Sequence, residues 1–216
     1  MRKLTTAAIV LTSLFIGGSA LAEEGGLQVG ARLGYGLAMG DVAKDSKMSD
    51  GVKSQIPIWL DVGYNVSDSL MVGAYVQYGI AQLADKACPD SADCSASDLR
   101  FGVQGHYHLS PGESMDPWFG LGVGYEIASA SASGETMGQK FDSTASYSGF
   151  EFANLQAGLD FEASEGLGVG PFVSFSIGQF SSANLSVTGQ PDQDGDIKDK
   201  AMHQWIVFGV RGAFNL

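Results

Sequence analysis

Apolar and polar residues alternate with a period of two in eight stretches of this chain, most clearly in the last one. From Trp205 to Leu216, Ile206, Phe208, Val210, Phe214 and Leu216 share one face with Gly212, while Trp205, Gly209, Arg211, Ala213 and Asn215 share the other. Successive side chains of a strand point to opposite faces, so this is a strand with one apolar side and one side that accepts a guanidinium. The same pattern predicts strands over Leu27–Met39, Ile56–Asn65, Leu70–Ile80, Leu99–Leu109, Phe119–Ile127, Phe152–Phe161 and Val169–Gly178.

The connections alternate in length. Gly40–Ser54, Ala81–Ser97, Ser129–Gly149 and Ser181–Ala201 read as long polar loops, whereas Ser67-Asp68, Ser110–Asp116 and Ser164-Glu165-Gly166 read as short turns. An even number of strands, long loops at one end, and short turns with both termini at the other are the marks of a barrel that crosses an outer membrane. Pairing the last strand with the first removes the open edge that a sheet would otherwise expose. The predicted fold class is all-β, an eight-stranded antiparallel up-and-down transmembrane β-barrel.

Charge placement fixes which face is outside. The apolar column of all eight stretches contains no Asp, Glu, Lys or Arg, as hydrocarbon demands, since Arg or Lys at the midplane of such a wall costs about 2–4 kcal/mol. The opposite faces carry Arg32, Arg100 and Arg211 with Asp61, Glu126 and Asp160, a neutral set. Counting along the strands pairs Arg100 with Glu126 and Arg32 with Asp61, and leaves Arg211 to reach Asp160 across the lumen. Every lysine after Lys3 falls in a long loop. Tyr35, Tyr78 and Tyr125 lie at one end of the column and Tyr64, Tyr107, Phe161 and Phe214 at the other, as two interfacial girdles require. Pro171 sits in the lipid-facing column, and its missing N–H calls for a bulge.

At the N-terminus, Arg2 and Lys3, an apolar run from Ala7 to Ile16 and the small-residue site Ala20-Leu21-Ala22 form a secretory signal peptide over residues 1–22. The barrel domain is then 23–216, with Glu23 in first place and no cysteine there to carry a lipid anchor. The formal charge is −12, and loss of Arg2 and Lys3 makes the mature chain more acidic still, which excludes nucleic acid as a partner. Cys88 and Cys94 are the only cysteines. In an exported chain their proximity reads as a disulfide.

Catalytic and metal motifs are weak. His106 and His108 share the inward face, while His203 starts the last strand at the opposite end, so the three cannot meet on one metal. Hydrogen-bonded lumen histidines are the favoured reading. Asp192, Asp194 and Asp196 begin like a calcium-binding loop, but Ile197 stands where that loop needs Gly and His203 where it needs Glu. A solvated acidic loop is favoured, with divalent-cation binding as the alternative. No cofactor is expected.

With these residues in place, the chain over 27–216 resembles the small eight-stranded outer-membrane barrels of the OmpX, OmpW and OmpA-transmembrane-domain kind. The resemblance implies a terminal strand read by the barrel-assembly machinery, carried here by Phe214 and Leu216, although members usually end in Phe. It implies a non-enzymatic, monomeric outer-membrane protein in contact with lipid and lipopolysaccharide, serving envelope integrity or surface interaction through its four long loops. The alternative is binding or passage of a small apolar molecule through the barrel mouth. A soluble lipocalin-like barrel would turn the apolar column inward instead. Extraction separates the two: the protein should stay with the membrane pellet in salt and alkali and leave it only in detergent, whereas a lipocalin would appear in the buffer.

Overall fold

The computed structural model describes residues 26–85, 87–89, 92–136 and 139–216. The signal-peptide segment, 1–22, lies outside the described residues. Eight long strands are present: β1 (Leu27–Ala43), β2 (Val52–Ser67), β3 (Leu70–Leu83), β4 (Ala92–His108), β5 (Met115–Thr136), β6 (Gln139–Ser164), β7 (Leu167–Val187) and β8 (His203–Asn215). Each pairs antiparallel with the next, and β8 returns to β1 in an unbroken register from Gln28↔Asn215 to Gly40↔His203. The ring is closed. Two short strands, Ser46–Lys47 and Gln193–Asp196, fold back on β1 and β7, and one helical turn, Met48–Gly51, lies at the outer end.

The burial pattern is that of a soluble protein turned inside out. Leu33, Val103 and Leu121 are 58%, 58% and 56% exposed, while Arg32, Arg100 and Arg211 are 2%, 1% and 0% exposed. Exposed apolar surface on this scale is stable only against an apolar solvent. Aromatic side chains band the outer wall at two levels. Tyr35 is level with Phe208, and Tyr125 with Phe101 and Phe150, at the extracellular end; Tyr107 with Phe119, and Phe161 with Met115, mark the periplasmic end.

Several strands run further than the apolar column. Composition predicts a loop over Ser129–Gly149, yet β5 and β6 stay paired as far as Thr136↔Gln139. The alternation there continues in small residues: Ser129 meets Ser146 and Ser131 meets Thr144, each pair of hydroxyls 2.9 Å apart. Lipid contact ends at the outer girdle, so apolarity ends there, but backbone pairing does not. For the same reason β7 extends to Val187 inside the expected loop Ser181–Ala201, and β4 begins at Ala92 rather than Leu99.

Two local expectations are corrected. Simple alternation puts Phe152 in the lumen, but it is 51% exposed. Gly122 pairs with Asn154 while Gly124 pairs with Glu151, so β6 carries one extra residue at this point. That bulge reverses the phase of β6 above it, putting Phe150 and Phe152 outside and Glu151 inside. Pro171, for which a bulge is expected, has none. It pairs with Val210, and the ladder to β6 simply lacks rungs between Gly158↔Phe172 and Phe161↔Val169.

The bilayer boundary can be tested on one face of one strand. Leu121→Arg, at mid-wall, should cost about 2–4 kcal/mol. Ser131→Arg, on the same face above the girdle, should change stability by no more than about 0.5 kcal/mol. Urea-dependent unfolding from phospholipid vesicles measures both.

Candidate functional site

The lumen holds the chain's concentrated polar chemistry, in two layers. The periplasmic layer is built around Arg32 on β1. Its Nε donates to Asp61 on β2 at 2.8 Å, and its Nη1 donates to Gln156 on β6 at 2.7 Å. Gln104 on β4 donates to the same Asp61 at 2.6 Å and accepts from Gln156 at 3.1 Å. His106, fully buried, lies 3.1 Å from Gln156 Oε1 and 3.2 Å from Arg32 Nη2. Arg211 on β8 bonds Asp160 on β6 and donates to Gln28 at 2.8 Å. It does this by passing over Gly170 of β7, its direct partner, rather than by spanning the lumen.

The extracellular layer is built around Arg100 on β4, which faces Glu126 on β5 directly across the ladder. Arg100 lies 3.3 Å from Glu126, 2.9 Å from Asp98 and 3.7 Å from Glu151. Tyr75 donates to Glu151, and Asn154 donates to the other oxygen of Glu151 at 2.9 Å. His203 and the Trp205 indole N–H hold Glu126 from β8 at 2.7 and 3.2 Å. The amides of Gln55 and Gln77 lie fully buried without a hydrogen-bond partner among the described residues.

Trp59, Tyr75, Phe172 and Val207 pack as one cluster with Trp118, whose indole N–H donates to Asp160 of the periplasmic layer at 3.1 Å. Each arginine lies against an indole: Arg32 is 4.4 Å from the Trp59 centroid and Arg211 4.6 Å from Trp118, while Arg100 is 5.1 Å from Trp205, which packs with Ala38 and Met48. A guanidinium over an aromatic face keeps part of its charge stabilisation after losing water, which suits a closed interior. Gly158 makes room for Trp118; a Cβ there would lie 2.5 Å from the indole ring.

The expected neutral set of three arginines and three carboxylates is corrected by two additions, Asp98 and Glu151. Asp98 was within reach of the pattern, since it stands two residues before Arg100 on the same face. Glu151 was not, because the β6 bulge places it against the simple alternation. Cys88 and Cys94 form a disulfide at the start of β4. Asp192, Asp194 and Asp196 do not converge: Gln193–Asp196 is a strand on β7, and Asp194 accepts from Asn184. Among the described residues no group of three or more His, Cys, Asp and Glu is placed to hold a metal ion. His108 is engaged by Asp116 at 2.6 Å, away from the other two histidines' partners. Phe214 lies on the outer face opposite Val29, and the Leu216 N–H donates to the Leu27 carbonyl at 2.7 Å, so the C-terminus sits on the closing seam.

Residues 7–201 match the family described as outer membrane protein beta-barrel domain. No curated protein matches the sequence. Among solved structures the fold is similar to a major outer membrane protein from Thermus thermophilus, with TM-score 0.58 and 10% identity over 90% of this chain and 100% of that one. It is similar to OprG from Pseudomonas aeruginosa, with TM-score 0.55 and 13% identity over 90% and 97%. It is also similar to AlkL in DMPC bilayers, with TM-score 0.51 and 13% identity over 95% and 97%. Inverted burial, ring closure and the family match agree, and the chain belongs to the outer membrane protein beta-barrel domain family, as an integral protein of the outer membrane.

Proposed function

We propose that this is a non-enzymatic barrel that supports envelope integrity or surface contact through its extracellular segments, after removal of residues 1–22 from the 23–216 barrel. The observation that carries this reading is the filled lumen. An eight-stranded ring has an interior just wide enough for side chains, and here Trp59, Tyr75, Trp118, Phe172 and Val207 occupy it together with the two charged layers. Specificity therefore belongs to the parts beyond the bilayer. Each histidine is already engaged, His106 by Gln156 and Arg32, His108 by Asp116 and His203 by Glu126, which supports a structural rather than catalytic use. The partners of this reading are outer-membrane lipid and lipopolysaccharide, and the assembly machinery at Phe214 and Leu216, with the barrel acting as a monomer.

A second reading, capture of a small apolar molecule at the mouth, is favoured by one feature. Met48 from the helical turn packs on Ala38 and Trp205, with Val42 and Val52 alongside, as an apolar lid over the outer layer. Displacing it would expose an apolar pocket.

Deletion of the gene should sensitise cells to detergents and hydrophobic antibiotics. The full chain should restore resistance, and a chain with the β5–β6 extension shortened should not. If only uptake of an apolar solute changes, and Met48→Asp abolishes that uptake, the second reading holds. The filled lumen makes a separate prediction. Arg100→Met leaves Asp98, Glu126 and Glu151 facing one another and should cost about 3–5 kcal/mol, read as a lower urea midpoint of the heat-modifiable folded band.

A further inference from the structure

The outward face of β5–β7 changes character just above the extracellular girdle. Tyr125 marks the boundary, with its ring 5.3 Å from Phe150 and 6.0 Å from Phe101. Above it the face passes through Ile127 and then turns to hydroxyls, an amide and two carboxylates. Tyr125, Ser146, Ser148, Ser182, Asn184 and Asp196 bound a recess of about 610 Å³, within the roughly 300–1,000 Å³ of small-molecule sites. The short strand Gln193–Asp196 forms its far wall. Strand geometry sets its height: from Tyr125 to the level of Ser146, which pairs with Ser129, the chain climbs about 13 Å at ~3.3 Å per residue, or about 10 Å along the membrane normal at a tilt of ~40°.

We propose that this recess seats a neutral sugar of the outer-leaflet glycolipid. The Tyr125 hydroxyl donates to Ser148 Oγ at 3.1 Å, and Ser148 Oγ lies 2.8 Å from Ser182 Oγ. Each serine hydroxyl has one donor and two acceptor positions, so this chain still presents hydrogen-bonding capacity to a ligand rich in hydroxyls. Asn184 holds Asp194, which leaves the exposed Asp196 carboxylate to accept from sugar hydroxyls. The Tyr125 ring offers an apolar surface with a polar tip, suited to the C–H side of a pyranose. Among the described residues no Lys or Arg lines the recess, and its two aspartates repel an anion, so the chemistry selects a polyol over a phosphate. The recess opens away from the lumen, above lipid-facing Tyr125 and Ile127, so the nearest polyol is carried by the membrane's own outer leaflet.

The test uses the full mature chain in detergent micelles with three probes: lipopolysaccharide bearing core sugars, lipid A without them, and the detached core oligosaccharide. Native mass spectrometry should show at least tenfold tighter binding of the sugar-bearing glycolipid than of lipid A. Ser182→Trp, which fills the recess, and Asp196→Ala, on the exposed short strand, should each reduce that preference below threefold while heat-modifiable mobility is kept. If Ser182→Trp fails to fold, Asp196→Ala decides alone. Equal binding of the two lipids by the wild type, or an undiminished preference in the folded variants, overturns the proposal. Loss of the preference in EDTA overturns it too, because a cation bridge to phosphate would then be responsible. Equal affinity for detached oligosaccharide and intact glycolipid overturns the outer-leaflet assignment.

Discussion

Hydrocarbon supplies no hydrogen bonds, so every backbone N–H and C=O in contact with it must find a partner within the protein. The closing seam between β1 and β8 meets that requirement. Its register is continuous from Gln28↔Asn215 to Gly40↔His203, leaving neither strand with an edge. The alternation of side chains follows from closure, because once the sheet is a cylinder each strand has one face in lipid and one in a narrow interior. Pro171 shows how local the tolerance is. It keeps its place beside Val210 and costs the wall a few rungs on its other side without altering the register.

The interior solves a different problem, that of holding charges without bulk water. Three arginines and five carboxylates share it among the described residues. Arg32 and Arg100 each bridge strands far apart in sequence, Arg32 to Gln156 and Arg100 to Ser176 at 2.9 Å. These bonds cross the cylinder where ladder bonds only run around it, so they brace it against flattening. Removing one arginine strands its carboxylates, which is why the cost of a single substitution exceeds the net worth of the pair it breaks.

Period-two patterning made the ring legible, because lipid imposes a rule on one face of every strand that no position in the bilayer escapes. Arg32, Asp61, Arg100 and Glu126 could be placed inside by that rule alone. It failed where its physical cause was absent. Above the girdle, Ser129, Ser131, Thr144 and Ser146 are paired as strands but have no reason to be apolar, so they read as loop. At the β6 bulge one inserted residue exchanged the faces of Phe152 and Glu151, and nothing in the sequence marks the insertion. The lumen aromatics Trp59 and Trp205 fell on the correct face, but their stacking on arginines depends on depth and approach angle, which alternation does not encode.

The strands are unequal. β5, β6 and β7 run to 22, 26 and 21 residues, against 14 for β3 and 13 for β8. Because the tall part continues the ladders of the wall below it, with register shifts at Ser148/Gly149 and Glu151/Ala153, the cylinder has a front and a back when viewed from outside the cell. A molecule approaching along the plane of the membrane meets a fin on one flank and a low rim on the other.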